Sequence, residues 1–136
     1  MRFLPLLLTA LLMSSPVGAE AAGAVTRAVF TTQVTDREPV DQVSSFTNDV
    51  TRVFFFTEIT NMPGVTVKHR WLYEGELKAE VSFAIGGPSW RVWSSKNMLP
   101  AWTGQWTVQV VDANGTVLAE KQMNYMPAGE NANPDQ

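Results

Sequence analysis

Apolar and polar residues alternate with period two along most of the chain, and the alternating runs are short and bounded by Gly, Pro, Asn and Asp. That pattern predicts strands rather than helices, because successive side chains of a strand point to opposite faces. The runs fall near Arg27–Val34, Val50–Ile59, Val65–Glu74, Leu77–Ile85, Trp90–Ser94, Gln105–Val111 and Thr116–Tyr125. Seven strands in one small domain predict an all-β, antiparallel, immunoglobulin-like sandwich. The connections agree. Glu74-Gly75-Glu76 is too short to return a parallel strand, and Asp112-Ala113-Asn114-Gly115 reads as a hairpin loop with glycine supplying positive φ. Met62-Pro63-Gly64 and Gly86-Gly87-Pro88 punctuate two more.

Alternation also assigns faces. In the third run Val65, Val67, His69, Trp71 and Tyr73 share a side and are expected to face the core. In the fourth, Leu77, Ala79, Val81, Phe83 and Ile85 face in while Lys78, Glu80 and Ser82 face out. Phe54, Phe55 and Phe56 make the second run apolar on both sides, which predicts a central strand whose outer face is covered by the long segment or by a partner. The one long irregular stretch, Thr35–Asn48, is expected to hold a helical turn or to cross between sheets.

The N-terminus changes the picture of where the domain works. Arg2, the apolar run Phe3–Met13 and the small residues Val17-Gly18-Ala19 have the order of a secretory signal peptide spanning 1–19. Ala19-Glu20-Ala21 offers an alternative cleavage site. The run falls short of the roughly 20 residues of a membrane span, and nothing later approaches that length. With Cys 0 there is no acylated cysteine and no disulfide. The expected product is a periplasmic or secreted protein with a sandwich over 25–126 and a disordered tail over 127–136, which has almost nothing to bury. Removal of 19 from 136 residues leaves one domain's length, and loss of Arg2 moves the net charge from −3 to −4. An acidic chain without a basic cluster disfavours nucleic acid or an anionic membrane as partner.

Candidate chemistry is sparse. His69 is the single histidine, which excludes mechanisms needing two imidazoles, and its place on an apolar strand face reads first as a hydrogen-bonded core residue. A hydrolase built on it needs a serine and a carboxylate, yet no Gly-x-Ser-x-Gly elbow occurs and the spacing gives Ser94 and Ser95 no reason to meet it. Met62, Met98, Met123 and Met126 are scattered and read as packing rather than metal ligands, and no cofactor motif appears. Glu74, Glu76 and Glu80 read as solvent-facing charges beside a turn, and Asn114-Gly115-Thr116 as the turn itself.

The densest signal is aromatic. Trp90, Trp93, Trp102 and Trp106 fall close together with Arg91 and Lys96, and alternation sends Trp90 and Trp93 to opposite faces. An exposed indole beside a guanidinium suits stacking on a sugar ring or docking a protein; the alternative is that Arg91 merely covers a neighbouring ring.

Asp36-Arg37-Glu38-Pro39-Val40, His69-x-Trp71, Trp90 to Lys96, and Gly104-x-Trp106 followed by Asp112 to Gly115 and Leu118 together resemble the bacterial family called domain of unknown function 2914, from about Arg27 to Tyr125. The resemblance implies a small β-rich domain of envelope proteins with no assigned activity. It marks Arg37, His69, Trp71, Arg91, Trp93, Ser95 and Lys96 as candidates for a shared binding site or shared packing. Three functions stand open: a non-enzymatic module binding an envelope glycan or protein, a structural or accessory protein acting by assembly through free sheet edges, and, last, a hydrolase using His69.

Overall fold

The structure is a computed structural model that describes residues 22–129. The leader expected over 1–19 and residues 130–136 of the expected tail lie outside the described residues. In chain order the strands are β1 (Ala24–Thr31), β2 (Val34–Thr35), β3 (Glu38–Pro39), β4 (Ser45–Thr47), β5 (Arg52–Thr60), β6 (Thr66–Tyr73), β7 (Glu76–Ala84), β8 (Ser89–Asn97), β9 (Gly104–Val111) and β10 (Val117–Met126). No helix occurs among the described residues, and none is long and apolar enough to cross a membrane.

The seven long strands are those the alternation predicts. They split into a sheet β1-β5-β8 and a sheet β4-β10-β9-β6-β7, with β2 and β3 forming a separate hairpin. Among the long strands the chain changes sheet after β5, β7 and β8, so each sheet interleaves strands distant in sequence, which is the arrangement of an immunoglobulin-like sandwich. All long pairs are antiparallel. β4 departs from that expectation: it runs parallel to the end of β10, with Asn124 opposite Ser45. A parallel pair needs a long return path, and β5 to β9 lie between these two strands.

Packing of the two sheets buries Phe30, Phe55, Val67, Trp71, Trp106, Val108, Met123 and Tyr125. Trp71 meets Phe30 and Phe55 edge-on, with centroids 6.1 and 6.4 Å away. Each such side chain contributes about 1.5–3 kcal/mol by leaving water, and in a domain without cysteine these contacts do the work a disulfide does elsewhere. The expected inward set of β6 is buried through Val67, His69 and Trp71. β7 is a correction. It is the edge of its sheet, so Ala79, Val81 and Phe83 are only half-buried, and a register shift opposite Trp71 and Leu72 leaves Leu77 44% exposed.

The stretch Thr35–Asn48 forms no helical turn. It makes the β2–β3 hairpin and then crosses to β4 in the other sheet. The Asp41 carboxylate closes its base by accepting from the Thr31 hydroxyl (2.5 Å), the Thr32 amide (2.8 Å) and the Thr32 hydroxyl (2.5 Å). The hairpin tip, Asp36-Arg37, has both residues at positive φ (52° and 64°), the geometry a two-residue turn needs but usually takes from Asn or Gly.

Gly104 opens β9 at φ +128°, and a Cβ there would collide with the Glu74 carboxylate that accepts from the Gln105 amide (2.9 Å). Gly104→Ala is therefore expected to cost about 1–2 kcal/mol, read as a lower urea midpoint at unchanged slope.

Candidate functional site

His69 lies at the centre of the sandwich with 0% exposure. The hydrogen-bond order around it follows from which atoms must donate. The Val92 carbonyl only accepts, so the Thr57 hydroxyl donates to it (3.1 Å) and accepts from His69 Nε2 (2.9 Å). With the proton on Nε2, Nδ1 accepts from the Ser94 hydroxyl (2.7 Å), whose oxygen takes the Trp71 indole N–H (3.0 Å). Trp71 and His69 belong to β6 and Thr57, Val92 and Ser94 to the facing sheet, so the chain of bonds ties the sheets together. Every member is paired, which is what makes a buried polar network tolerable. Burial pushes the imidazole down to about 3, so it is neutral at ordinary pH.

Ser94 thus does meet His69, contrary to the expectation from spacing. Alternation turns Val92 and Ser94 inward on β8, and the stacking of the two sheets then sets Ser94 opposite His69, a relation that no spacing along one strand encodes. A serine donating to an imidazole is half of a nucleophilic relay. Here the second ring nitrogen meets Thr57 rather than a carboxylate, and Ser94 is only 6% exposed. The pair is a cross-brace sealed from substrate.

The outer face of the β1-β5-β8 sheet has a different character. Strand register sets Arg27, Glu58 and Arg91 in one row, Val29, Phe56 and Trp93 in the next, and Thr31, Phe54 and Ser95 in a third. Phe56 and Trp93 rings are nearly parallel (17°) with centroids 6.4 Å apart, and the Arg27 guanidinium lies 4.8 Å from the centre of the Phe56 ring. Phe56 is fully buried although it leaves the sandwich on its outer side, as the phenylalanine run predicts for a covered central strand. Arg52 lies 5.2 Å from the Phe54 ring centre and donates from Nε and Nη2 to the Ser95 hydroxyl (3.1 and 2.9 Å).

The cover is anchored through Glu38 of the hairpin. Its carboxylate takes two bonds from Arg27 (2.6 and 3.2 Å) and one from Arg91 (2.6 Å), while Arg27 also reaches Glu58 (3.2 Å). Hydrogen bonding from Arg27 foremost, with Arg91 adding to it, holds the Glu38 carboxyl down at about 2 against the opposing pull of partial desolvation. Beside this anchor a cleft of about 610 Å³ opens between β1 and β10, lined by Val25, Arg27, Pro39, Gln42, Ala119 and Lys121.

The seven candidate residues therefore do not share one concavity. Arg91, Trp93 and Ser95 stand together on the outer face. His69 and Trp71 are in the core. Lys96 points to the opposite side of β8, its ammonium 4.8 Å from the Trp102 ring centre, and Arg37 is exposed at the hairpin tip. Trp90, on the core side of β8, lies where a Cβ on Gly86 would be, so Trp90 and Trp93 do take opposite faces. Arg27, Glu38, Arg52 and Phe56 are the members that sequence reasoning passed over. Their one signal was the Phe54–Phe56 run, which called for a cover from the long segment or a partner without singling out Glu38. Among the described residues no three His, Asp or Glu side chains gather to hold a metal.

Residues 65–124 match the model of the family described as Protein of unknown function (DUF2914). The match covers 60 of the chain's 136 residues. The matched span takes in β6 to β9 and most of β10, with Arg91, Trp93 and Ser95, and begins after Arg27 and the hairpin that carries Glu38. No curated protein matches the chain. Among solved structures it is similar to the solution structure of the CARDB domain of PF1109 from Pyrococcus furiosus, with 14% identity, 76% of this chain and 95% of that chain covered, and a TM-score of 0.41. The assignment of the sandwich rests on strand order.

Proposed function

We propose that this domain is an exported, non-enzymatic binding module of the cell envelope that recognises a glycan through the outer face of its three-stranded sheet. One observation carries the reading: Arg91, Trp93 and Ser95 alternate onto a single face together with Arg27, Arg52, Phe54 and Phe56. The outer face of a two-layer sandwich is ordinarily polar, so three aromatics there, two of them under guanidiniums, call for a purpose beyond packing. An indole offers a flat apolar surface to the C–H face of a sugar, and a guanidinium offers forked donors to its oxygens.

A purified sample is expected to be retained by peptidoglycan, lipopolysaccharide or an envelope glycan extract, and Trp93→Ala to weaken that retention at least about tenfold with its melting transition preserved. Equal retention by the folded variant, or none by the parent, would sink the proposal. The second reading, an accessory protein that assembles by strand addition, draws on β4 covering only Asn124–Met126 of the β10 edge. Lys121 opposes it. It takes the inward side of β10 shared by Met123 and Tyr125 yet stays exposed, a placement that discourages edge pairing.

A further inference from the structure

We infer that Glu38 occupies, from within the chain, the place of an acidic group on the ligand, and that the outer face takes a glycan whose sugars carry carboxylates. The inference rests on the binding-module reading and names its ligand class. Arg27 on β1 and Arg91 on β8, the two edge strands of the sheet, converge on one carboxylate above β5, with three bonds of 2.6 to 3.2 Å. Two forked guanidiniums on one anion is the arrangement that selects carboxylates.

The occupant is weakly tethered. Between Val34 and Pro39, every side-chain hydrogen bond recorded among the described residues comes from Glu38. The hairpin that carries it turns through Asp36 and Arg37, both at positive φ and both exposed. Exposed ion pairs of this kind hold little on their own. Arg91 makes no ion pair but that with Glu38 among the described residues, with Glu58 its cross-strand neighbour, while Arg27 also pairs with Glu58.

What the hairpin uncovers fits a sugar better than an acidic peptide. With the hairpin lifted and Arg27 still over Phe56, the half-buried Trp93 ring, nearly parallel to Phe56, is the surface offered to the apolar face of a pyranose. The row alongside carries the Ser95 hydroxyl and the Arg52 guanidinium, partners for sugar hydroxyls. A longer chain has a path from Arg27 into the adjoining cleft of about 610 Å³, within the size range of ligand sites, where Lys121 makes no ion pair among the described residues.

The test is calorimetric titration of the protein with oligogalacturonate and with the same oligomer methyl-esterified. The charged oligomer is expected to bind at least about tenfold tighter than the ester, Glu38→Gln to raise its affinity about tenfold without helping the ester, and Arg91→Gln to abolish the preference. If both oligomers bind alike, the face binds glycan but the carboxylate assignment is overturned. If neither binds while the envelope glycans of the Trp93→Ala experiment do, the assignment is overturned and the module reading stands. If no glycan binds at all, both fall. Polyglutamate binding as tightly as oligogalacturonate overturns the choice of glycan. Should Glu38→Gln fail to fold, the comparison of the two oligomers on the unsubstituted protein decides.

Discussion

His69→Ala is expected to remove about 3–5 kcal/mol of folding stability, a large part of the ~5–15 kcal/mol available to a domain of this size. Two losses combine. The ring fills space between Phe55 (centroids 5.1 Å apart) and Phe83 (4.8 Å), so its truncation opens a cavity that two packed sheets do not readily close. The substitution also takes away the acceptor of the Ser94 hydroxyl and the donor to Thr57, both buried where water does not replace them. Trp71 feels the change as well, since its indole N–H ends on the same Ser94 oxygen (3.0 Å). Urea denaturation of the variant gives the value directly. A loss below about 1 kcal/mol would mean that the bonds joining the sheets carry little of the fold. His69→Gln, whose amide has both an acceptor and a donor, is expected to lose clearly less than His69→Ala.

Stability is expected to fall by about 2 kcal/mol between pH 7 and pH 5, and by more below, because of the same residue. In the unfolded chain the imidazole titrates near 6.5, whereas burial pushes it down to about 3 in the fold. Between those values the unfolded state binds a proton that the folded state refuses. The stabilisation is therefore complete above about pH 7 and drains away as pH falls, at up to ~1.4 kcal/mol per unit. Hydrogen bonding says the same. A proton on Nδ1 would turn it into a donor toward Ser94, leaving the serine hydroxyl without its acceptor. Glu38, with its carboxyl at about 2, works in the same direction, but its contribution is lost only as pH falls from about 4.5 toward 2. The interval from pH 7 to 5 thus isolates the histidine. Urea midpoints across it are expected to fall in the parent and to stay nearly level in His69→Gln; an equal fall in both would assign the acid sensitivity elsewhere.

The histidine also marks how far one strand can be read. Its place among Val67, Trp71 and Tyr73 follows from period two, because the pleat leaves each side chain only two directions. The identity of its partners does not follow. Ser94 and Thr57 stand on strands of the other sheet, and their approach depends on which layers stack and at what offset. The outer face divides in the same way. Arg91, Trp93 and Ser95 share a side by alternation alone, and the Phe54–Phe56 run announces a covered strand. Arg27 and Glu38 joined them only through the pairing of β1 with β5 and the folding back of a two-residue hairpin. The seven candidate residues separated into core, outer face, opposite face and hairpin tip because residue type marks chemistry but not direction.

The amino-acid sequence by itself determined seven long strands, the inward face of β6 and an all-β sandwich, since strand period and turn residues are local properties. Tertiary structure alone decided that Ser94 meets His69, that β4 runs parallel to β10, and that a hairpin carboxylate joins two arginines above Phe56. These are relations between layers and edges. They depend on register and stacking, which arise from all the strands packing at once and from no run of residues taken singly.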